Sequence, residues 1–214
     1  MMFSVAACLW MGANAQTYST VTTGRTSVGI TAGVNWFNIN GKNVTGADLN
    51  NDLKMGFNGG LNVEFPLGAG TYLRPGIEYR QKGAEMENGN DVSLSYIDVP
   101  VNLVLKPALG TSNVVIGFGP YVGYALNGKV EYPNGTERDV QFNDTYTPSE
   151  AADAQFKRLD AGANVMAGME FSNRFSIMAK AQLGLKNINP DTEIPGDETK
   201  YKNTGFGVSL GYRF

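Results

Sequence analysis

Histidine is absent from this 214-residue sequence, and cysteine occurs only once, as Cys8. Without an imidazole or a second thiol, the commonest routes to an activated nucleophile at neutral pH are missing, and no disulfide can form within the chain. No segment holds 18 consecutive apolar residues, which excludes a membrane-spanning helix. These absences argue against an enzyme and against a helical membrane protein.

Apolar residues alternate with small or polar residues along much of the sequence. In the segment TSVGITAGVNW, the even positions 28–36 are Val, Ile, Ala, Val and Trp, whereas the odd positions between them are small or polar. A period of two is typical of a β-strand. Eight such runs are predicted, at residues 26–38, 54–66, 71–82, 93–106, 113–126, 157–172, 174–187 and 203–214. Each is long enough to cross a bilayer as a tilted strand, for which about 9–11 residues suffice.

The charges within these runs share one face. Lys157, at a strand end, is the one exception, because its position in the alternation (its parity) places it on the apolar face. The charges with the parity of the polar face are Lys54, Glu64, Arg74, Glu78, Arg80, Lys82, Asp98, Lys106, Arg158, Asp160, Glu170, Lys180, Lys186 and Arg213. A soluble barrel with an apolar cavity would alternate in the same way with the faces exchanged. The alternation therefore leaves open which face points inward.

Glycines and aromatic residues favour a lipid-facing barrel. Fourteen glycines have the parity of the polar face, which suits a narrow, crowded lumen better than a solvated sheet surface. The aromatic residues of the apolar face gather near strand ends, as in the two girdles of a membrane barrel. One predicted girdle contains Trp36, Phe57, Tyr79, Tyr124 and Phe206, and the other contains Phe65, Phe171, Phe175, Tyr212 and Phe214.

The connections alternate between long and short. Residues 39–53, 83–92, 127–156 and 188–202 form long connections, and residues 66–70, 106–112 and 172–174 form short ones. This alternation is typical of outer-membrane barrels, which have long extracellular loops and tight periplasmic turns. The sequence therefore predicts an all-β, eight-stranded antiparallel up-and-down transmembrane β-barrel.

The two ends of the chain fit export to the outer membrane of a Gram-negative cell. Ala13-Asn14-Ala15 follows an apolar stretch and matches the cleavage pattern of a secretory signal, which predicts a signal peptide at residues 1–15 and a barrel domain at 16–214. Cys8 lies inside the predicted signal. The last strand, GFGVSLGYRF, places Tyr212 and Phe214 as a terminal signal for the barrel-assembly machinery.

The net charge of −3 conceals a partition between loops and barrel. The four long connections carry 15 acids and 5 bases, a balance of −10, whereas the rest of the chain carries 5 acids and 12 bases, a balance of +7. So acidic an exterior disfavours nucleic acid as a partner. No cofactor and no metal site is predicted. The expected partners are outer-membrane lipid with lipopolysaccharide, and an unknown extracellular ligand.

The stretches SYIDVPVNLVLKP (95–107) and NVVIGFGPYVGYALNGK (113–129) are similar to strands of PorT-like, "porin family" outer-membrane barrels. FKRLDAGANVMAGMEF (156–171) and the terminal strand also resemble that family, so the likeness covers the mature chain. The resemblance implies an outer-membrane β-barrel. It does not specify a function, because the family is diverse.

Charged side chains of the polar face are predicted to form a lumen charge network rather than an acid/base site. An eight-stranded barrel is just wide enough for side chains to fill, so inward charges must neutralise one another. The predicted network consists of Glu64, Arg74, Glu78, Arg80, Asp98, Arg158, Asp160, Glu170, Lys180, Lys186 and Arg213. Pro75, Pro100 and Pro120 interrupt strands and are each expected to mark a bulge.

Three functions are compatible with these features. The favoured one is a non-enzymatic closed barrel that displays acidic loops, for envelope integrity or loop-mediated binding. The alternatives are a narrow solute pore and a subunit of a secretion or assembly complex. Loop 127–156 is the candidate binding surface, with Tyr132, Phe142 and Tyr146 among six acids, although a flexible acidic shield fits the same composition.

Overall fold

Eight long strands dominate the computed structural model, which describes residues 25–146, 154–192 and 197–214. The predicted signal peptide at residues 1–15 lies outside the described residues. The long strands are β1 (Ser27–Lys42), β2 (Asp52–Gly68), β3 (Thr71–Glu85), β4 (Asp91–Leu105), β6 (Ser112–Glu131), β10 (Leu159–Glu170), β11 (Phe175–Gly184) and β12 (Lys200–Arg213). The short strands are β5 (Ala108–Leu109), β7 (Glu137–Asp139), β8 (Gln141–Phe142) and β9 (Gln155–Phe156). The described part of the chain has no helix able to cross a membrane.

The eight long strands form a closed antiparallel barrel, as predicted. Each pairs with the next long strand along the chain, and β12 returns to pair with β1 over a continuous register from Gly29↔Arg213 to Lys42↔Lys200. Closure removes free sheet edges and satisfies the backbone without water. The ends joined by the tight connections at 69–70 and 171–174 are called here the turn end, and the opposite ends the loop end.

Over the middle of the barrel, apolar side chains point out and charged side chains point in. Leu210 and Val165 are 62% and 56% exposed, whereas Asp160 and Asn203 are 0% exposed. This is the opposite of a soluble barrel with an apolar cavity. The glycines of the inner face are needed for close packing, since a methyl group at Gly33 would lie 2.1 Å from the carbonyl oxygen of Val208.

Aromatic side chains pack in pairs on the outer face near both ends. Trp36 stacks on Phe206 with centroids 5.7 Å apart, and Phe57 stacks on Tyr79 at 5.4 Å, both toward the loop end. At the turn end, Tyr212 contacts the rings of Phe175 and Phe214. From Phe206 to Phe214 is about 27 Å along the strand, or roughly 20 Å along the axis of a tilted barrel, close to the ~25 Å of an apolar membrane band.

The predicted bulges at the prolines are wrong. Pro75 pairs with Val101 in the same register that Glu78 and Asp98 keep. Pro100 pairs with Tyr121 in the register that continues at Leu103 and Phe118, and Pro120 pairs with Ala163 without any shift. The missing N–H interrupts the ladder locally but inserts no residue, so the parity of the inner face continues. The register shifts instead lie between Leu53 and Asn58 in β2, between Pro66 and Gly68, and at residues 125–127 of β6.

An apolar core closes the loop end. Several strands extend beyond the predicted boundaries, β6 by five residues to Glu131, and their inner faces become apolar there. The connection after β6 folds back onto this region, where β7 pairs with β6 and β8 pairs with β9. The buried residues of this loop-end core are Ile39, Ala84, Val92, Leu94, Tyr96, Ala125, Val130, Val140, Phe156 and Ile188. The connection therefore contributes to the folded core.

Candidate functional site

A first group of buried charges lies in the lumen near the turn end, and is called here the outer cluster. Glu64, on β2, is 1% exposed and accepts hydrogen bonds from the Arg74 guanidinium and, at 2.7 Å, from the Lys106 ammonium. Lys106 also donates to Glu170 at 2.7 Å, and Arg213 bridges Glu170 at 3.2 Å and Glu64 at 3.1 Å. Four strands and Lys106, directly after β4, thus contribute one charge each to a continuous network.

A second group, the inner cluster, lies deeper toward the loop end. Lys82 donates to Asp98 and Asp160 at 3.0 Å each. Its ammonium also lies 4.6 Å from the ring centroid of Tyr96 and 4.7 Å from that of Tyr121.

Further polar contacts complete the inner cluster. Tyr121 and the Asn203 amide donate to the same oxygen of Asp160, at 3.2 and 3.0 Å, respectively. Toward the turn end, Glu78 pairs with Arg80 and, at 2.5 Å, with Lys180, while Arg80 reaches Asp98 at 3.4 Å.

The space between the clusters is filled as well. Val104, Val115, Met166 and Met178 pack together as a buried apolar layer, and the Arg74 guanidinium lies 3.3 Å from the sulfur of Met166. Two small cavities remain beside this layer, of about 20 and 10 Å³. Each has room for about one water molecule. The described lumen is therefore packed along its length.

The structure brings together nine of the eleven charges predicted for the network. It adds Lys82 and Lys106, whose parity marked them as inward-facing but which were not included in the predicted set. Arg158 and Lys186 were placed wrongly. Arg158 is exposed before β10 and lies 4.7 Å from the ring centroid of Phe142, while Lys186, beyond the end of β11, forms no salt bridge with a described carboxylate.

A pocket of about 310 Å³ opens at the loop end. This loop-end pocket lies above the apolar core. It is bounded by the ends of β4, β6 and β12, by the short strand β9, and by residues 189–192. Its lining is rich in aromatic and amide groups and consists of Met86, Asn90, Val92, Val130, Tyr132, Tyr146, Ala154, Gln155, Phe156, Asn189, Pro190, Thr192, Asp197, Thr199 and Tyr201. The volume falls at the lower end of the range for small-molecule sites.

The charge at the loop-end pocket is negative. Asp197 is its one charged lining residue among the described residues. The hydroxyl and the amide of Thr199 both donate to the Asp197 carboxylate and hold its pKa below its ordinary value. No group of three acidic side chains in the described ranges is arranged to hold a metal ion.

The three aromatic residues predicted as a binding surface divide between two places. Tyr132 and Tyr146 line the loop-end pocket, Tyr146 being 39% exposed. Phe142 does not line it, because its ring packs against the loop-end core and under Arg158. Sequence patterns missed Phe156 and Tyr201, whose rings lie 6.0 Å apart in the pocket wall. They come from segments that meet only in the folded chain.

Comparisons with known proteins agree with this architecture. A family model described as "Outer membrane protein beta-barrel domain" matches residues 14–189. The outer membrane protein OprG of Pseudomonas aeruginosa superposes with a TM-score of 0.51 at 11% identity, covering 88% of this chain and 95% of that one. Ail of Yersinia pestis gives 0.46 at 17% identity, with 89% and 100% covered, and neisserial surface protein A gives 0.46 at 10%, with 88% and 97% covered. No curated protein sequence matches the chain.

Proposed function

Because the chain belongs to the family of outer membrane protein β-barrel domains, we propose that it is a closed, non-enzymatic barrel that presents a ligand-binding pocket at its loop end. The observation that carries the proposal is the contrast between the two ends of the interior. Paired charges and methionines fill the lumen, whereas a pocket of about 310 Å³ remains open above the loop-end core. The barrel then anchors the pocket in the membrane.

A pore requires a continuous aqueous path, and the packed lumen leaves none. To pass a solute, the barrel would have to separate the pairs around Glu64 and Asp160, which are 1% and 0% exposed. Breaking buried ion pairs leaves uncompensated charges and is costly. A binding role is therefore favoured over a solute channel.

We expect the purified barrel to give no stable conductance steps in planar bilayers. The physical reason is the filled cross-section, since cavities of about 20 and 10 Å³ do not connect into a channel. A larger porin prepared in the same detergent serves as the positive control. Reproducible unitary steps from the refolded protein would favour the pore instead.

The chemistry of the loop-end pocket selects among ligands. Aromatic faces from Tyr132, Tyr146 and Tyr201 offer stacking and cation–π contacts, and the amide of Asn90 offers hydrogen bonds. The ionised Asp197 repels anions. The ligand class that fits is therefore a neutral or cationic molecule with a flat apolar face.

Filling the loop-end pocket is expected to abolish ligand binding. In a ligand-observed NMR screen of neutral, cationic and anionic aromatic fragments, the wild-type barrel should bind members of the first two classes. Ala154→Trp, in the pocket wall, should remove that binding, whereas Ala47→Trp, at an exposed loop position outside the pocket, should retain it. Preference for anionic fragments, or equal binding by both variants, would contradict the proposal.

Finer assignments complete the proposal. Residues 1–15 would direct export, and Tyr212 and Phe214 would be recognised by the barrel-assembly machinery. The loop end would face the outside of the cell. The strand motifs SYIDVP and GFGPY support a place among PorT-like barrels. The absence of histidine from the whole chain supports a role without catalysis.

A further inference from the structure

Three lysines form a row on the outer wall beyond the aromatic girdle of the loop end. Lys42 pairs with Lys200, and Asn40 pairs with Lys202, in the unbroken register between β1 and β12. All have the outward parity of Trp36 and Phe206. Lys202 lies four residues beyond Phe206, about 13 Å along the strand and roughly 10 Å along the barrel axis. The lysine row is thus at the height expected for lipid headgroups.

The lysine row forms no salt bridge among the described residues, although Asp48 lies opposite Lys42 in an antiparallel bridge. None of the three ammonium groups lies within 4.0 Å of a described carboxylate, whereas Lys54 pairs with Asp91 and Lys129 with Glu137 on the other side of the barrel.

That opposite wall is acidic at the same height. Glu85, Asp91 and Glu131 stand side by side in register on β3, β4 and β6. The loop end therefore has one wall on which lysines predominate and one on which acids predominate, and, of the two, only the acidic wall shows lysine salt bridges among the described residues.

An apolar groove of about 670 Å³ begins directly below the lysine row. It runs over the outer face of β10, β11, β12 and β1. The small side chains of Ala163 and Ala181 line it, together with Leu183 and Phe206. Asn38 and Thr204, which are register partners, lie at its upper end, two residues from the Asn40–Lys202 pair, and Asn40 also lines the groove.

We propose that this face binds a phosphorylated glycolipid of the outer leaflet, with an acyl chain in the groove and its phosphates on Lys42, Lys200 and Lys202. The proposal rests on the outward orientation of the loop end in the proposed function. A phosphate monoester carries about −1.5 to −2 charges at neutral pH, so a headgroup with two phosphates matches three lysines better than a phosphodiester does. The acidic wall excludes the same lipid from the opposite side.

The lysines are tested with bisphosphorylated lipid A as the probe and native mass spectrometry of the full barrel in detergent as the readout. Each lysine near an anionic headgroup contributes about fivefold to binding. We therefore expect Lys202→Gln to bind about fivefold more weakly, and the triple glutamine variant at Lys42, Lys200 and Lys202 roughly 100-fold more weakly. Lys129→Gln, on the acidic wall, should bind like the wild type.

The groove is tested separately by filling it. Ala181→Trp should weaken lipid A binding without changing the charge, whereas Ala167→Trp, which is outward-facing and exposed but outside the groove, should not. Heat-modifiable migration on gels verifies that each variant is folded. Since the groove and the loop-end pocket share no lining residue, failure of the pocket proposal would leave these results unchanged.

Two outcomes would overturn the proposal. One is wild-type affinity for lipid A in the triple glutamine variant. The other is equal binding of lipid A, dephosphorylated lipid A and phosphatidylglycerol, because binding would then not depend on contacts between the lysine row and the phosphates.

Discussion

Replacing Lys82 with methionine is expected to lower the free energy of unfolding by about 3–5 kcal/mol, the usual cost of removing one partner of a buried ion pair. The Lys82 ammonium, on a residue that is 2% exposed, holds Asp98 and Asp160 together at 3.0 Å each. Methionine fills a similar volume but leaves both carboxylates without this cation. Urea titration of the barrel refolded in lipid vesicles measures the change.

Two further variants separate the charge effect from packing. Lys82→Met combined with Asp160→Asn should recover part of the loss, because one buried negative charge is removed along with the lysine. Lys129→Met removes an exposed partner of Glu137, and a solvent-exposed ion pair of this kind contributes little to stability. Equal losses in the Lys82 and Lys129 single variants would show that the inner cluster does not stabilise the barrel.

The parity of charges predicted the lumen well because a closed ladder enforces it. A bulge at Pro75 would have turned Glu78 and Arg80 to the outer face, but both remain inward-facing. A proline removes a hydrogen-bond donor without adding a residue, so the period of two continues past it. Arg158 and Lys186 were misplaced because they lie outside β10 and β11, where strand parity no longer determines direction.

The loop end was harder to predict because its contacts join distant parts of the chain. Val140 packs beside Gly128, the amide of Gln141 donates to the carbonyl of Ala154, and Lys157 pairs with Asp191 at 2.6 Å. Neither the alternation of apolar and polar residues nor the composition predicts such long-range contacts. A long acidic connection therefore looked like either a binding surface or a flexible shield, and the structure shows that part of it belongs to the core.

The packing of this connection determines what shortening it would do. Replacing residues 130–154 by a short turn would remove Val130 and Val140, which are 2% and 6% exposed, along with Tyr132 from the pocket wall. The cost of such a deletion is therefore lost packing rather than loop-closure entropy alone. Point substitutions in the loop-end pocket test binding without that loss.

Placing arginine at Leu210 is expected to destabilise the barrel by about 2–4 kcal/mol, the cost of a cation on the lipid face at the bilayer midplane. Leu210 is 62% exposed and lies on β12 midway between Phe206 and Phe214, which belong to opposite aromatic girdles. Val44→Arg, at a loop position that is 56% exposed, should change stability by less than about 0.5 kcal/mol. Both values come from urea titration in vesicles of one lipid. Equal effects at the two positions would mean that the outward face does not meet hydrocarbon, and a larger effect in detergent than in vesicles would point to lost packing instead.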